Sequence, residues 1–257
     1  MAKKGPQRQP RRKTSPEGQA GVGPIDATIA RRQQEAVLEL AGKGRSGAQA
    51  LEIGLSALIW ADQLVHLFEA ENRLPRPLAC RPGCYFCCHN QIEVTPPEAL
   101  LLGDYVAQNF SAEEKRRLGE RIEQAIRLKT GKSKQEVAEC RQQLPCPCLI
   151  EGRCAVYPVR PLVCRAMHAL DAGQCEASLK GQDLRPVAHY AHRQVFIRSL
   201  VKGLRDACRA LGCQAGALDL AWALRDCFTQ PGPTGRWLKG EQVFTRPGRT
   251  SGEGRQE

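Results

Sequence analysis

Nowhere does the chain run to the 18 or so consecutive apolar residues that a bilayer-spanning helix needs, so no membrane span is expected. No apolar stretch follows the basic opening Met1-Ala-Lys-Lys, and the segment behind Arg11-Arg12 is polar from Thr14 to Gly23. Neither a secretory nor a twin-arginine signal is expected there. A glycine-rich nucleotide loop is also missing. Thr130-Gly-Lys-Ser133 looks like the end of a phosphate loop, but Ile126 stands where the first glycine must be, and no strand is expected before it. No local pattern marks a Ser–His–Asp hydrolase, and no internal repeat exists beyond two cysteine-rich patches. Together these absences leave a chain expected in a reducing cytoplasm, with no membrane partner and no independent catalytic constellation. A metal-binding module is therefore expected first, and an iron–sulfur-dependent enzyme of electron transfer or protein modification stays open as the alternative.

Negative charge is scarce too: 27 acidic residues stand against 38 basic ones, for a net charge of +11. The excess is uneven. Residues 1–24 hold +5, residues 231–257 hold +2, and the two hundred or so between hold only +4. A body so nearly balanced argues against a nucleic-acid protein, beyond weak, salt-sensitive contacts from the N-terminal arm.

Residues 1–24, rich in Pro, Gly, Gln and Arg, read as a disordered basic tail, and 231–257 as a second tail. Between them the fold class is mostly α. Helical periodicity begins near Ile25 and breaks at Gly42-Lys-Gly. A second helix, about Ala48–Asn72, is expected to pack through Leu51, Leu55, Leu58, Ile59, Leu64, Val65 and Phe68. Residues 25–77 form this N-terminal helical region. Thr95 before Pro96-Pro97-Glu98 reads as a helix entry, and Ser111-Ala-Glu-Glu114 as a capping box. A weaker helix is expected over Lys134–Gln142, and a short strand at Arg153–Tyr157. Helices near Val187–Leu211 and Ala215–Cys227 fill a C-terminal region, 177–230. Trp60, Trp222 and His66 read as core residues, and Trp237 falls in the expected tail.

What the chain has in abundance is cysteine, thirteen in all. Four crowd into Cys80-Arg-Pro-Gly-Cys84-Tyr-Phe-Cys87-Cys88-His89, and five more lie at Cys140, Cys146, Cys148, Cys154 and Cys164. A chain of 257 residues can build a core without disulfides, so in a reducing compartment clustered thiols point to metal. Thiolates are soft ligands suited to zinc and iron–sulfur clusters, and the Cys84-x₂-Cys87 spacing serves both. Cys87 and Cys88 are adjacent, so their side chains are expected to diverge. Arg160 and Arg165 beside the second patch could offset the charge of a cysteine-bound cofactor. Cys208, Cys213 and Cys227, in apolar helical settings, read as core thiols.

These residues resemble a known family. Cys80-x₃-Cys84-x₂-Cys87-Cys88-His89, with Val94-Thr95 and Glu98-Ala99 behind it, is similar to the opening motif of the YkgJ-type cysteine-cluster proteins, described as zinc- or iron-chelating domains with a CxxCxxCC signature. The second patch continues the resemblance through Cys146-Pro147-x-Leu149, Gly152-x-Cys154-x-Val156-Tyr157 and Arg160-Pro161-x-x-Cys164-Arg165. The family pattern has Phe where this chain has Cys148, which sets Cys148 apart from a family-type ligand. A related motif occurs in flagellin lysine methylases. No S-adenosylmethionine motif is visible here, so methyl transfer is not carried over.

The resemblance implies a metal-binding domain over residues 78–176, with two cysteine-rich loops converging on the metal against a helical body. Its expected ligands are Cys80, Cys84, Cys87, Cys88, Cys146, Cys154 and Cys164, its cofactor an iron–sulfur cluster or zinc, and its partner a redox or other protein. Cys140, Cys148, Cys175, His89 and His168 stay open as further ligands. His189 and His192 read as surface or core residues.

Overall fold

The computed structural model describes residues 25–183 and 185–245; the expected tail at 1–24 lies outside them. The described chain carries ten α-helices and four two-residue strands, so the mostly α reading holds.

Local chemistry sets most helix starts. Asp26 accepts the N–H groups of Thr28 and Ile29 and opens α1, Ala27–Gly42. Ser46 and Gln49 form a capping box for α2, Gly47–Glu71. Thr95 and Glu98 do the same for α3, Pro96–Asn109, with proline in its first turn. Ser111 and Glu114 open α4, Ala112–Lys129. Ser133 opens α5, Lys134–Glu139, which stops short of the expected Gln142 and passes into a 3₁₀ turn at Arg141–Gln143.

The face of α2 differs from its expected stripe. Ala50, Ile53, Ala57, Leu58 and Ala61 are buried, whereas Leu55 and Ile59 are exposed. Close backbone approach decides the rotation: a Cβ on Gly54 would stand 2.6 Å from the Pro97 carbonyl oxygen at the start of α3. His66 faces solvent rather than the core. By length and composition alone, α2 is the one helix among the described residues that could cross a membrane, although no 18-residue purely apolar run exists. In this fold it packs on α3 and α8.

The second cysteine patch folds as an antiparallel hairpin of β2, Leu149–Ile150, with β3, Arg153–Cys154. Its turn residues Glu151 and Gly152 both take positive φ, 49° and 74°. Two such residues give the turn that matches strand twist. Then come two helices that periodicity did not reveal, α6 at Leu162–Ala166 and α7 at Ala172–Leu179. Next are α8, Ala191–Ala210, and α9, Leu220–Thr229. Before α9, β4 (Leu218–Asp219) pairs antiparallel with β1 (Glu93–Val94), which follows the first cysteine run.

The expected C-terminal tail needs correction. Residues 233–238 form α10, Pro233–Leu238, and Trp237 is fully buried with its indole N–H on the Gln214 carbonyl at 2.9 Å. An indole anchor and the buried Leu238, Val243 and Phe244 give this short segment the apolar contact its composition conceals. Only 246–257 lie outside the described residues. Helices α1–α4, α6 and α8–α10 contribute to one core cluster.

Candidate metal centre

Turn geometry places the first run. Pro82-Gly83 turns the chain so that the Cys84 N–H reaches the Arg81 carbonyl at 3.0 Å, and Gly83 supplies φ of 84°. Residues Phe86–His89 form a 3₁₀ turn. Upstream, the Ala79 N–H bonds the Ala169 carbonyl at 2.9 Å, fixing the approach to Cys80.

The second patch is tied to the first through backbone. Cys146 donates its N–H to the Cys88 carbonyl at 2.7 Å. Cys148 accepts the Ala155 N–H, and Leu149 pairs with Cys154 across the hairpin. Cys164 rides on α6, whose first residue, Leu162, donates its N–H to Glu98 at 2.7 Å.

Two thiol pairs stand out. The Cys88 thiol bonds Cys87, which lowers the Cys87 pKa and raises that of Cys88. Cys148 bonds Cys146 in the same way, lowering Cys146 and raising Cys148. Cys87 and Cys88 both lie in the 3₁₀ turn Phe86–His89. Burial, and then the nearby charges of Cys146, Cys87 and Cys154, push the Cys164 thiol well up. Burial likewise raises Cys154 and Cys80. Cys80 and Cys87 are exposed, Cys84, Cys88, Cys146, Cys154 and Cys164 are half-buried, and Cys148 sits in the core.

Neighbouring sulfurs do not yet make a coordination sphere. Among the described residues, no three Cys, His, Asp or Glu side chains are gathered so as to hold a metal ion, and every cysteine is a free thiol. The donor chemistry nonetheless fits a soft metal: both segments offer thiols, and a metal would replace the shared protons of the two thiol pairs.

The flanking groups divide by role. Arg165 is buried and spends its guanidinium on Asp62 and on the carbonyls of Arg160 and Pro158. Arg160 lies over the Tyr157 ring at 4.5 Å, and its charge favours the thiolates of Cys87 and Cys154. His89 Nδ1 lies 3.3 Å from the Arg141 carbonyl. His168 is held through both nitrogens, Nδ1 on the Ala166 carbonyl and Nε2 accepting the Tyr190 N–H, each at 2.7 Å. Burial lowers its pKa to about 4. His189 Nδ1 meets the Val187 carbonyl, and His192 pairs with Glu69.

Cys140 bonds locally to the Val137 carbonyl. Cys175, on α7 against the 3₁₀ turn, is pushed up to about 11 by burial and then by the charges of Cys80, Cys84 and Cys87. Cys208 and Cys213 are buried and Cys227 is half-buried, as core thiols should be. Sequence reasoning missed the tie from Glu98 to α6. The visible clue was Thr95-x-x-Glu98, a capping box whose second carboxylate oxygen is free to reach elsewhere.

Residues 79–198 match a family model described as CxxCxxCC: Putative zinc- or iron-chelating domain. The match begins at the expected boundary but runs past residue 176 into α8. No curated protein matches the chain, and no solved structure does.

Proposed function

We propose that residues 79–198, which match a model of the zinc- or iron-chelating CxxCxxCC family, hold an iron–sulfur cluster and serve as a redox, sensing or partner-support module. The observation that carries the reading is the Cys146 N–H on the Cys88 carbonyl, which tethers two distant cysteine segments side by side. Cys80, Cys84, Cys87, Cys88, Cys146, Cys154 and Cys164 are the proposed ligands.

Donor number favours a polynuclear cofactor over a single zinc. Seven thiols exceed the four that a tetrahedral zinc takes, and paired sulfurs such as Cys87 and Cys88 suit a cluster with several metal atoms. When bound, such a cluster would supply one-electron chemistry. The protein's part is to lower the cost of gathering anionic sulfurs: Arg160 stands beside Cys87 and Cys154, and Arg165 braces the loop that carries Arg160. Cys148, buried where the family pattern has Phe, packs the core and lends its proton to Cys146.

The test is metal and acid-labile sulfide analysis, with an absorption spectrum, on full-length protein purified without oxygen. Stoichiometric iron and sulfide support the cluster. Stoichiometric zinc without sulfide replaces it with a structural or Lewis-acidic site, and no metal even after reconstitution rejects both.

A further inference from the structure

Behind the cysteine segments lies an open cleft of about 1570 Å³. One wall is a single face of α8, on which Arg198, Lys202, Arg205 and Arg209 recur at three- and four-residue steps. The other wall is the turn between α4 and α5, with Lys132 at its tip, and the start of α5. The floor is apolar, offered by the half-buried Val163 and Met167 at α6, Val201 on α8 and Trp222 on α9 above the buried Ile92, Val94 and Ala166.

Charge on the lining is lopsided. Eight basic side chains face five acidic ones. Ion pairs tie Asp219 to Lys129, Asp206 to Lys202 and Arg209, and Glu93 to Lys134, and Glu98 is buried in its cap. Among the described residues, Arg198 and Arg205 have no carboxylate partner, and Arg141 reaches only Asn90 and Ser178. Guanidinium groups without a carboxylate partner along the α8 wall, facing Lys132 across the cleft, favour an anionic occupant, and Arg is the residue best shaped to grip carboxylates.

Size narrows the choice. Drug-sized ligands fill about 300–1,000 Å³. A helix of about 10–12 Å diameter, rising about 1.5 Å per residue, would fill this cleft with roughly nine to thirteen residues. An apolar floor with cationic walls is complementary to a helix that is apolar on one side and acidic on the other. A nucleic-acid strand would want stacking platforms, and Trp222, the only aromatic side chain on the lining, already lies under Lys129. The chain's own residues 1–24, at +5, carry the wrong charge.

We propose that this cleft is a docking groove for an acidic amphipathic helix of a partner protein. The groove lining includes Asn90, two residues beyond Cys88, and its floor includes α6, which carries Cys164. A docked partner would therefore lie against the elements that hold the cysteines. The proposal does not depend on which metal they bind.

The test uses the full chain and a fluorescein-labelled peptide of about 15 residues, with Leu at i, i+3, i+4 and i+7 positions and Glu elsewhere. Anisotropy should rise on titration, weaken with salt, and lose about tenfold or more in affinity in each of Arg198→Glu and Lys132→Glu, one from each wall. Both side chains are solvent-accessible, and circular dichroism checks that the variants fold. Absence of binding by the wild-type chain overturns the proposal, as does equal binding by both charge-reversed variants. Tighter binding of a single-stranded RNA of similar length, lost in the same variants, overturns it in favour of nucleic acid.

Discussion

Glu98 accepts the Leu162 N–H at 2.7 Å with one carboxylate oxygen while the other accepts the N–H and hydroxyl of Thr95. One buried side chain thus caps α3 and anchors the helix that carries Cys164. Glu98→Ala leaves three donors unsatisfied, at least two of them buried, and should cost about 3 kcal/mol. Denaturant unfolding of the metal-free protein measures it; a loss under about 0.5 kcal/mol, the size of an ordinary surface change, would refute this role.

Gly203 and Gly119 are both helical glycines with opposite expectations. A Cβ at Gly203 would lie 2.1 Å from the Ala30 carbonyl oxygen, backbone against backbone, whereas nothing lies within 4 Å of one at Gly119. Gly203→Ala should destabilise by about 3 kcal/mol through separation of α1 and α8. Gly119→Ala should stabilise by up to about 1 kcal/mol, from helix propensity alone. Thermal unfolding midpoints should move in opposite directions.

His168 supplies a pH dependence with a definite sign. Burial lowers its pKa from 6.5 to about 4, and its Nε2 is the acceptor for the Tyr190 N–H. The unfolded chain therefore takes up a proton before the folded one does. The stability at issue is intact above pH 6.5 and is lost as pH falls from there towards about 4. In His168→Asn that part of the acid loss should vanish, read as the difference between the two unfolding curves against pH.

Thiol reactivity should follow exposure and the paired protons. Cys87 is exposed and its thiolate is favoured by the Cys88 thiol, with Arg160 nearby. In metal-free protein at neutral pH, iodoacetamide followed by mass spectrometry should find Cys87 modified first, and Cys148 and Cys208 last. Preferential labelling of Cys148 would contradict the core position assigned to it.

The helix starts were legible because each is written in a few neighbouring residues: Thr95 to Glu98, Ser111 to Glu114. The cysteine segments were legible for the same reason, through spacing and family pattern. What escaped depends on contacts between distant residues. The rotation of α2, burying Ala57 and exposing Ile59, is set by how closely Gly54 meets Pro97. Trp237 lies in a run of Pro, Gly and Arg that reads as tail, yet Gln214 gives its indole a buried acceptor. The 3₁₀ turn that carries Cys87 and Cys88 was not visible in their spacing.

The proposed metal centre is shared by the two cysteine segments, which the Cys146 N–H on the Cys88 carbonyl holds together. Metal content per chain, measured after anaerobic reconstitution for wild type, Cys87→Ser and Cys146→Ser, tests that most directly, with Cys208→Ser as a control. Loss of most of the metal in both variants, with the control fully loaded, is the expected result. Full metal in Cys146→Ser, with loss confined to Cys87→Ser, would show that the first run binds alone and would contradict a shared centre.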